Sequence, residues 1–368
     1  MGKNYSYLDV KEDIKRRIEN SEYKKEEKIP SERKLSEEFM VSRNTIRKAI
    51  EELVLEDYLV KEPGRGTFVS SKINKESIKT KTGNIFFLRC FHNRIKEGRN
   101  NSDSRVGDDI FYPQVVAGID MIAEKNDYHC IFKYIYEDNI DPKLVKEIKE
   151  KADGVICGEL HSKKMLETVS SINLPVVLIS SSVINDEVDI VEIDNFTGAF
   201  KLASYLIESG HRNFALIGGS ASSQPSKERK NGFLEALKQN DIKFDKKYSV
   251  TNGWDFEDGY QSALEILNFD QRPTAVFAAS DLLALGAINA FKDKGLKVPE
   301  DISVVGFDDI DMSKQIKPSL TTMRVRKVEM GKEAANLLFN KLKGSDRNYP
   351  VKITVPTKLM LRDSVKEL

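Results

Sequence analysis

The sequence predicts two fold classes in one chain. Residues 1–70 read as a small α+β domain of three helices closed by a β-hairpin, and residues 84–368 as an α/β domain of two lobes. Three observations predict this. Apolar residues recur at helical spacing in three short segments before residue 56, and a turn holding two glycines follows them. From residue 84 onward, nearly continuous apolar runs alternate with longer amphipathic segments, as in parallel sheets covered on both faces. Between the two lies SKINKESIKTKT (71–82), with four lysines, one glutamate and no apolar periodicity, so residues 71–83 read as a linker.

A first helix is expected over residues 7–20, with Tyr7, Val10, Ile14 and Ile18 along one face. A second follows Pro30 and Ser31, where proline fixes the approach and serine is a good cap, and carries Leu35 and Phe39. Ser42 is the cap candidate of a third, with Ile46, Ile50, Leu53 and Val54 at helical spacing. Met40 and Val41 leave only a short turn between the second and third, the spacing of a helix-turn-helix. Tyr58 to Val60 and Thr67 to Val69 then flank Pro63-Gly64-Arg65-Gly66, which reads as a hairpin.

The third helix opens with Arg43, Asn44, Arg47 and Lys48, ahead of Glu51 and Glu52. Guanidinium groups at an outward helix N-terminus suit a major groove: the amides meet phosphates and the arginines fork onto guanine. Arg65 at the hairpin tip is placed to reach a neighbouring minor groove or backbone. Charge alone does not decide for DNA, because residues 1–70 hold 15 basic and 15 acidic residues and a run such as RNTIRK also suits a solvated face. The order of elements does favour it. The stretch from Ile29 to Val69, with P-S-E-R-x-L, V-S-R-x-T-I-R-K-A and G-x-G-T-F-V, resembles the winged helix-turn-helix of the GntR family. The resemblance implies DNA contacts by Arg33, by Ser42, Arg43, Asn44 and Arg47, and by the wing residues Gly64, Arg65 and Gly66. Arg33 and the wing would position the domain, and the third helix would read bases.

In the large domain the expected strands are NIFFLRC (84–90), YHCIFKYIY (128–136), DGVIC (153–157), PVVLISS (175–181), NFALIGG (213–219), TAVFAAS (274–280) and ISVVGFD (302–308). The 285 residues available exceed one ordinary sheet, hence two lobes. Ligands of open α/β sheets bind at the carboxyl ends of strands. Five segments resemble the effector domain of the LacI/GalR family, which shares the fold of periplasmic sugar-binding proteins. They are I-x-N-F-T-G-A (193–199), L-I-E-S-G-H-R-N-F-A-L-I-G-G (206–219), E-R-K-N-G-F (228–233), A-S-D-L-L-A-L-G-A (279–287) and V-P-E-D-I-S-V-V-G-F-D-D (298–309).

A sugar presents several hydroxyls and an apolar ring face, so it needs charged forks and an aromatic platform. The resemblance implies Arg229 and Asp308 as the forks and Trp254 as part of the cleft wall. Trp254 serves equally as core, and Asp308 and Asp309 equally as helix caps. Asp281 is read as the cap of the helix after Ser280. Ser280 stands where the family often has asparagine, and Ser180 where a carboxylate occurs. In the first lobe, Arg89 and His92 end the first strand, Phe111 and Tyr112 precede a helix starting near Pro113, and Glu159 follows the third strand. Ser280, Tyr112 and Glu159 join the expected effector site. The charged insertion 93–109 reads as a flap or a solvated loop.

Other functions are excluded by pattern. Lys plus Arg equal Asp plus Glu at 58 each, which excludes a wholesale polycation. Apolar runs are too short for a membrane span, and no secretion signal opens the chain, so a cytoplasmic location is expected. Cys90, Cys130 and Cys157 have no disulfide or metal spacing, and His92, His129, His161 and His211 form no zinc pattern. GGSASS (218–223) lacks the glycine of a nucleophile elbow, and no Walker or dinucleotide fingerprint occurs. No enzyme activity, cofactor or metal is expected. The reading is a transcriptional repressor that binds a double-stranded operator as a homodimer, without a membrane role, and responds to a small sugar. A GntR-type reader joined to a LacI-type domain resembles arabinose-responsive repressors, which makes L-arabinose the favoured effector. The alternatives are another sugar or a purine, acting as inducer or corepressor, or a sugar-binding protein without a genetic role.

Overall fold

The computed structural model describes residues 5–19, 22–71, 81–91, 110–137, 140–183, 187–221, 223–344 and 347–368. His92, the 93–109 insertion and residues 72–80 of the linker lie outside the described residues. The chain divides into two compact units, 1–82 and 83–368.

In the first unit, α1 (Tyr7–Glu19), α2 (Glu32–Phe39) and α3 (Arg43–Leu55) are followed by the antiparallel pair β1 (Leu59–Glu62) and β2 (Gly66–Val69). One core holds them: Val10, Ile14 and Ile18 from α1, Leu35 and Phe39 from α2, and Ile46, Ala49, Ile50 and Leu53 from α3. Tyr7 is not in that core; its half-buried ring lies under the Lys48 ammonium, 3.8 Å from the centroid. Ser31 and Ser42 both cap, accepting from the N–H of Lys34 and Thr45. Met40 adopts a left-handed conformation (φ 53°), which turns the chain from α2 into α3. The segment before α2 also pairs with β2, through Glu26 N to Val69 O and Ile29 N to Thr67 O, both at 3.0 Å.

The second unit holds two six-stranded sheets. The first lobe contains β3 (Asn84–Phe91), α4 (Tyr112–Glu124), β4 (His129–Tyr136), α5 (Pro142–Lys151), β5 (Gly154–Gly158), α6 (Lys163–Ser170), β6 (Val176–Ile179) and β7 (Asp189–Ile193). The chain then crosses to the second lobe with α7 (Asn195–Glu208), β8 (Phe214–Gly218), α8 (Gln224–Gln239), β9 (Ser249–Thr251), α9 (Phe256–Ile266) and β10 (Ala275–Ala278). That lobe continues through α10 (Asp281–Asp293), β11 (Ser303–Asp308), α11 (Met312–Gln315) and β12 (Thr321–Arg324). The chain returns for α12 (Lys327–Leu342) and β13 (Lys352–Val355), and crosses a third time to β14 (Lys358–Met360). The strand orders are β4-β3-β5-β6-β7-β13 and β9-β8-β10-β11-β12-β14, parallel throughout except for β14. Both follow the doubly wound order whose switch points open between the first and third strands.

Apolar side chains fill both faces of each sheet, which is why its inner strands are nearly continuous apolar runs. Close helix approach needs small residues at the contacts. A Cβ on Gly232 of α8 would lie 2.2 Å from the Phe196 carbonyl oxygen of α7. That contact sets the start of α7 against the third turn of α8. Among the described residues, no helix is long and apolar enough to cross a membrane.

Candidate functional site

In the first unit, the N-cap and first two turns of α3 carry Ser42, Arg43, Asn44, Arg47 and Lys48, all exposed. Ser42 Oγ takes the Thr45 N–H at 3.2 Å, so the hydroxyl is already used in capping. Arg47 Nη2 lies 3.2 Å from Glu32 and Arg33 Nη1 3.6 Å from Glu37, exposed pairs of little strength that a phosphate can displace. Arg65 pairs with Glu62 across the wing turn and lies 5.6 Å from the Phe68 ring centroid. Gly64 (φ 75°) and Gly66 (φ 126°) supply the left-handed backbone that this turn needs. The arrangement presents a helix N-terminus and a wing tip, each with cationic side chains on its outer surface.

The second unit gathers charge at strand ends. Arg229, on the second turn of α8, is buried and thoroughly held. Its Nε donates to Asn195 Oδ1 at 2.9 Å and its Nη1 to the Ala279 carbonyl at 2.6 Å. Nη2 lies 3.2 Å from Asp308 Oδ1, while the guanidinium stands 3.9 Å from the Phe307 ring centroid and 5.6 Å from that of Trp254. Burial lowers the Arg229 pKa despite the Asp308 partner, and burial raises that of Asp308 despite Arg229 and Lys327. Both shifts report desolvation outweighing the ion pair. Asp308 Oδ1 is buried and held by the Arg229 charge without a well-aligned hydrogen bond.

The first lobe answers with a second fork. Arg89 Nη2 lies 2.6 Å from Glu159 Oε2, and Nη1 donates to the Cys90 carbonyl at 2.6 Å. Its guanidinium stands 4.4 Å from the centroid of Phe91 and 4.2 Å from that of Tyr112. The Glu159 charge, on the first lobe, adds a small upward push on the Asp308 carboxyl of the second. Four residues here, Glu159 (φ 55°), Ser180 (φ 52°), Asp308 (φ 117°) and Asp309 (φ 51°), hold left-handed backbone at or just beyond strand ends. Each such residue costs of the order of 1–3 kcal/mol, and such costs cluster at functional sites. Ser180 and Ser181 of the first lobe and Asn195, Gln224 and Glu228 of the second line a small crevice at the lobe crossing.

The structure thus brings Arg229, Asp308 and Trp254 together in one lobe, and Tyr112 and Glu159 around Arg89 in the other. Trp254 packs on the core of its lobe and faces Arg229, and a Cβ on Gly219 would lie 2.3 Å from its ring. Two assignments change. Asp281 is not the cap of α10; Ser280 is, accepting from the Leu283 N–H at 3.3 Å, and it is buried. Asp281 instead takes the Ile310 N–H at 2.9 Å and the Ser313 and Thr322 hydroxyls, tying down the loop after Asp308. Neither Asp308 nor Asp309 caps a helix. Burial alone would raise the Asp309 carboxyl, but Arg362 and Arg324 hold it below its usual range.

Sequence reasoning missed Lys327 and the role of Asn195. Lys327 Nζ is buried, donates to the Asp308 carbonyl at 2.5 Å and stands 5.4 Å from the Phe111 ring centroid. Nothing in its local pattern marks it, because its partners come from distant segments. Asn195 lay inside a quoted motif, but its contacts depend on α7 packing against α8. Among the described residues, no cluster of three His, Cys, Asp or Glu side chains is arranged to hold a metal.

Comparisons with known proteins agree with this geometry. Residues 6–69 match the bacterial regulatory proteins of the gntR family, and residues 203–365 match the periplasmic binding protein-like domain. The HTH-type transcriptional repressor PurR of Histophilus somni (strain 129Pt) is 30% identical over 265 residues, covering 70% of this chain and 78% of its own length. The arabinose metabolism transcriptional repressor of Geobacillus stearothermophilus is 29% identical over 376 residues, covering 98% of each chain. The solved complex of the transcriptional regulator CelR with cellobiose superposes with a TM-score of 0.68 at 25% identity, covering 88% of this chain and 90% of its own.

Proposed function

Because the chain belongs to the helix-turn-helix transcriptional repressors, with a gntR-family reader and a LacI-type periplasmic binding protein-like domain, we propose that a small sugar controls its grip on a double-stranded operator. L-arabinose is the favoured effector, supported by the full-length similarity to an arabinose metabolism repressor. The observation that carries the sugar reading is the Asp308 carboxylate paired with Arg229 in one lobe and the Arg89–Glu159 pair in the other, two acid–base forks at strand ends. Such forks offer donors and acceptors together, and their charges balance, which suits an uncharged polyol. Arg229, Asp308 and Glu159 would take hydroxyls, with Tyr112 and Trp254 against the ring. Ser280, spent as a buried cap, is left out of this set.

Arg43, Asn44 and Arg47 would read bases, with Arg33 and the wing on phosphates. A two-fold dimer, formed mainly through the first lobe and its flanks, would present two readers to a palindromic site. Sugar would favour closed lobes and lower operator affinity through its unequal affinity for the two states. A thermal-shift panel of pentoses, hexoses and purines, run beside an operator gel-shift titration, tests the reading. L-arabinose should raise the melting temperature by mass action and release DNA at matching concentrations. Stabilisation by a purine or hexose alone, or tighter DNA binding with ligand, would replace the effector or reverse the sign. Light scattering of the purified chain tests the dimer.

A further inference from the structure

A chain of hydrogen bonds leads from Arg229 to the other lobe. Arg229 Nε donates to Asn195 Oδ1 at 2.9 Å, and Asn195 Nδ2 donates to Glu228 Oε2 at 2.9 Å. Gln224 Nε2 donates to the other oxygen, Glu228 Oε1, also at 2.9 Å. The backbone N–H of Gln224 then donates to Ser182 Oγ at 3.3 Å, on the first-lobe segment that follows β6. The chain has a fixed direction. A carboxylate only accepts, so Glu228 draws the amide nitrogen of Asn195 toward itself and leaves the oxygen for Arg229. Nε carries a single hydrogen in a rigid planar group, so holding it sets where both Nη atoms point. Asn195 is also the first residue of α7, one position after the cap Asp194 and at the first crossing between lobes.

We infer that Asn195, oriented by Glu228, is a positioning residue that aims the Arg229 guanidinium at the effector and links that aim to the lobe crossing. The inference rests on the effector reading of Arg229 given above. Asn195→Leu keeps the size and removes the acceptor, leaving a buried Nε–H without a partner. The pair Asn195→Asp with Glu228→Gln restores every donor and acceptor with the charge moved one place along the chain. Two readouts separate the possibilities. The first needs no ligand: the Nε–H resonance of Arg229 in 15N-arginine-labelled protein, identified by its absence in Arg229→Lys, should be protected from exchange in the wild type and in the double variant. It should lose protection in Asn195→Leu. The second is affinity for L-arabinose or, if that does not bind, for whichever sugar of the panel does. Asn195→Leu should weaken it at least about tenfold, with the double variant within about threefold of wild type. Asn195→Ala replaces the leucine variant if circular dichroism shows the latter unfolded. Undiminished protection or sugar affinity without the acceptor overturns the inference, as does a double variant no better than Asn195→Leu. If the wild type binds no sugar while the resonance behaves as expected, the sugar reading fails and the positioning chain stands.

Discussion

Asp281 shows how one residue can prepare a loop at a cost that depends on pH. Its carboxyl is fully buried and accepts from Ile310, Ser313 and Thr322, which fixes the segment that follows Asp308. Burial and then the nearby Asp308 charge push it up to about 6, against an ordinary value of 3.8. The native chain therefore holds a proton at Asp281 between about pH 4 and 6 that the unfolded chain has released. By linkage, the Asp281 contribution falls as pH rises through that window, and at neutral pH its ionisation costs about 3 kcal/mol relative to an unshifted carboxyl. Asp309 opposes this trend: its carboxyl is held low by Arg362 and Arg324, so its contribution is lost as pH falls. The informative quantity is thus a difference. Asp281→Asn keeps the shape, and the Thr322 hydroxyl can turn to accept from the new amide. Its melting temperature minus that of the wild type should be more positive at pH 7.5 than at pH 4.5. A difference that does not change with pH would show that Asp281 carries no charge penalty.

The pairing of α7 with α8 decides whether Asn195 and Arg229 meet. An added Cβ on Gly232 meets backbone at Phe196, which cannot move aside as a flexible side-chain end would. Gly232→Ala should therefore cost about 2 kcal/mol or more, lowering the melting temperature of the second unit by several degrees in calorimetry. Sugar affinity should fall with it, because Asn195 and Arg229 separate. The wing offers a milder case. Gly64 has open space around its Cα but φ of 75°, so Gly64→Ala should cost about 1 kcal/mol through backbone strain alone and leave the second unit unchanged. Elements of this kind differ in how far the sequence discloses them. α1 to α3, and the serine caps of α2 and α3, are legible because apolar faces and caps are local signals. So are β3, β5, β6, β8, β10 and β11, whose two buried faces make continuous apolar runs. β7, with alternate half-buried positions, the short polar strand β12 and the short edge strands β9, β13 and β14 carry no such run and are not predicted. Arg229 and Asp308 were found through motifs, whereas Lys327 meets Asp308 only after the chain has crossed between lobes.

The chain divides into two compact units, and that division makes the proposed function separable by substitution. Residues that would read the operator lie on the exposed start of α3, in a unit with its own core, and Arg229 and Asp308 lie in the other unit. Arg43→Ala removes one base or phosphate fork and should cost about 1–3 kcal/mol of operator affinity while sugar affinity stays at the wild-type value. Arg229→Ala and Asp308→Ala should do the reverse. Either leaves a buried partner charge unpaired, so sugar binding drops steeply, but α3 is untouched and operator affinity without sugar is retained. The coupling between the two activities can then be read as one number. If sugar weakens operator binding a hundredfold in the wild type, the coupling free energy is about 2.7 kcal/mol, and linkage requires that operator DNA weaken sugar binding by the same factor. Fluorescence anisotropy of labelled operator across a sugar titration, repeated as sugar binding with and without unlabelled operator, measures both directions. The wild type should give equal factors, and Arg229→Ala a factor near one over the same sugar range. Release of operator by Arg229→Ala at wild-type sugar concentrations would place the effector elsewhere than at the Arg229–Asp308 fork.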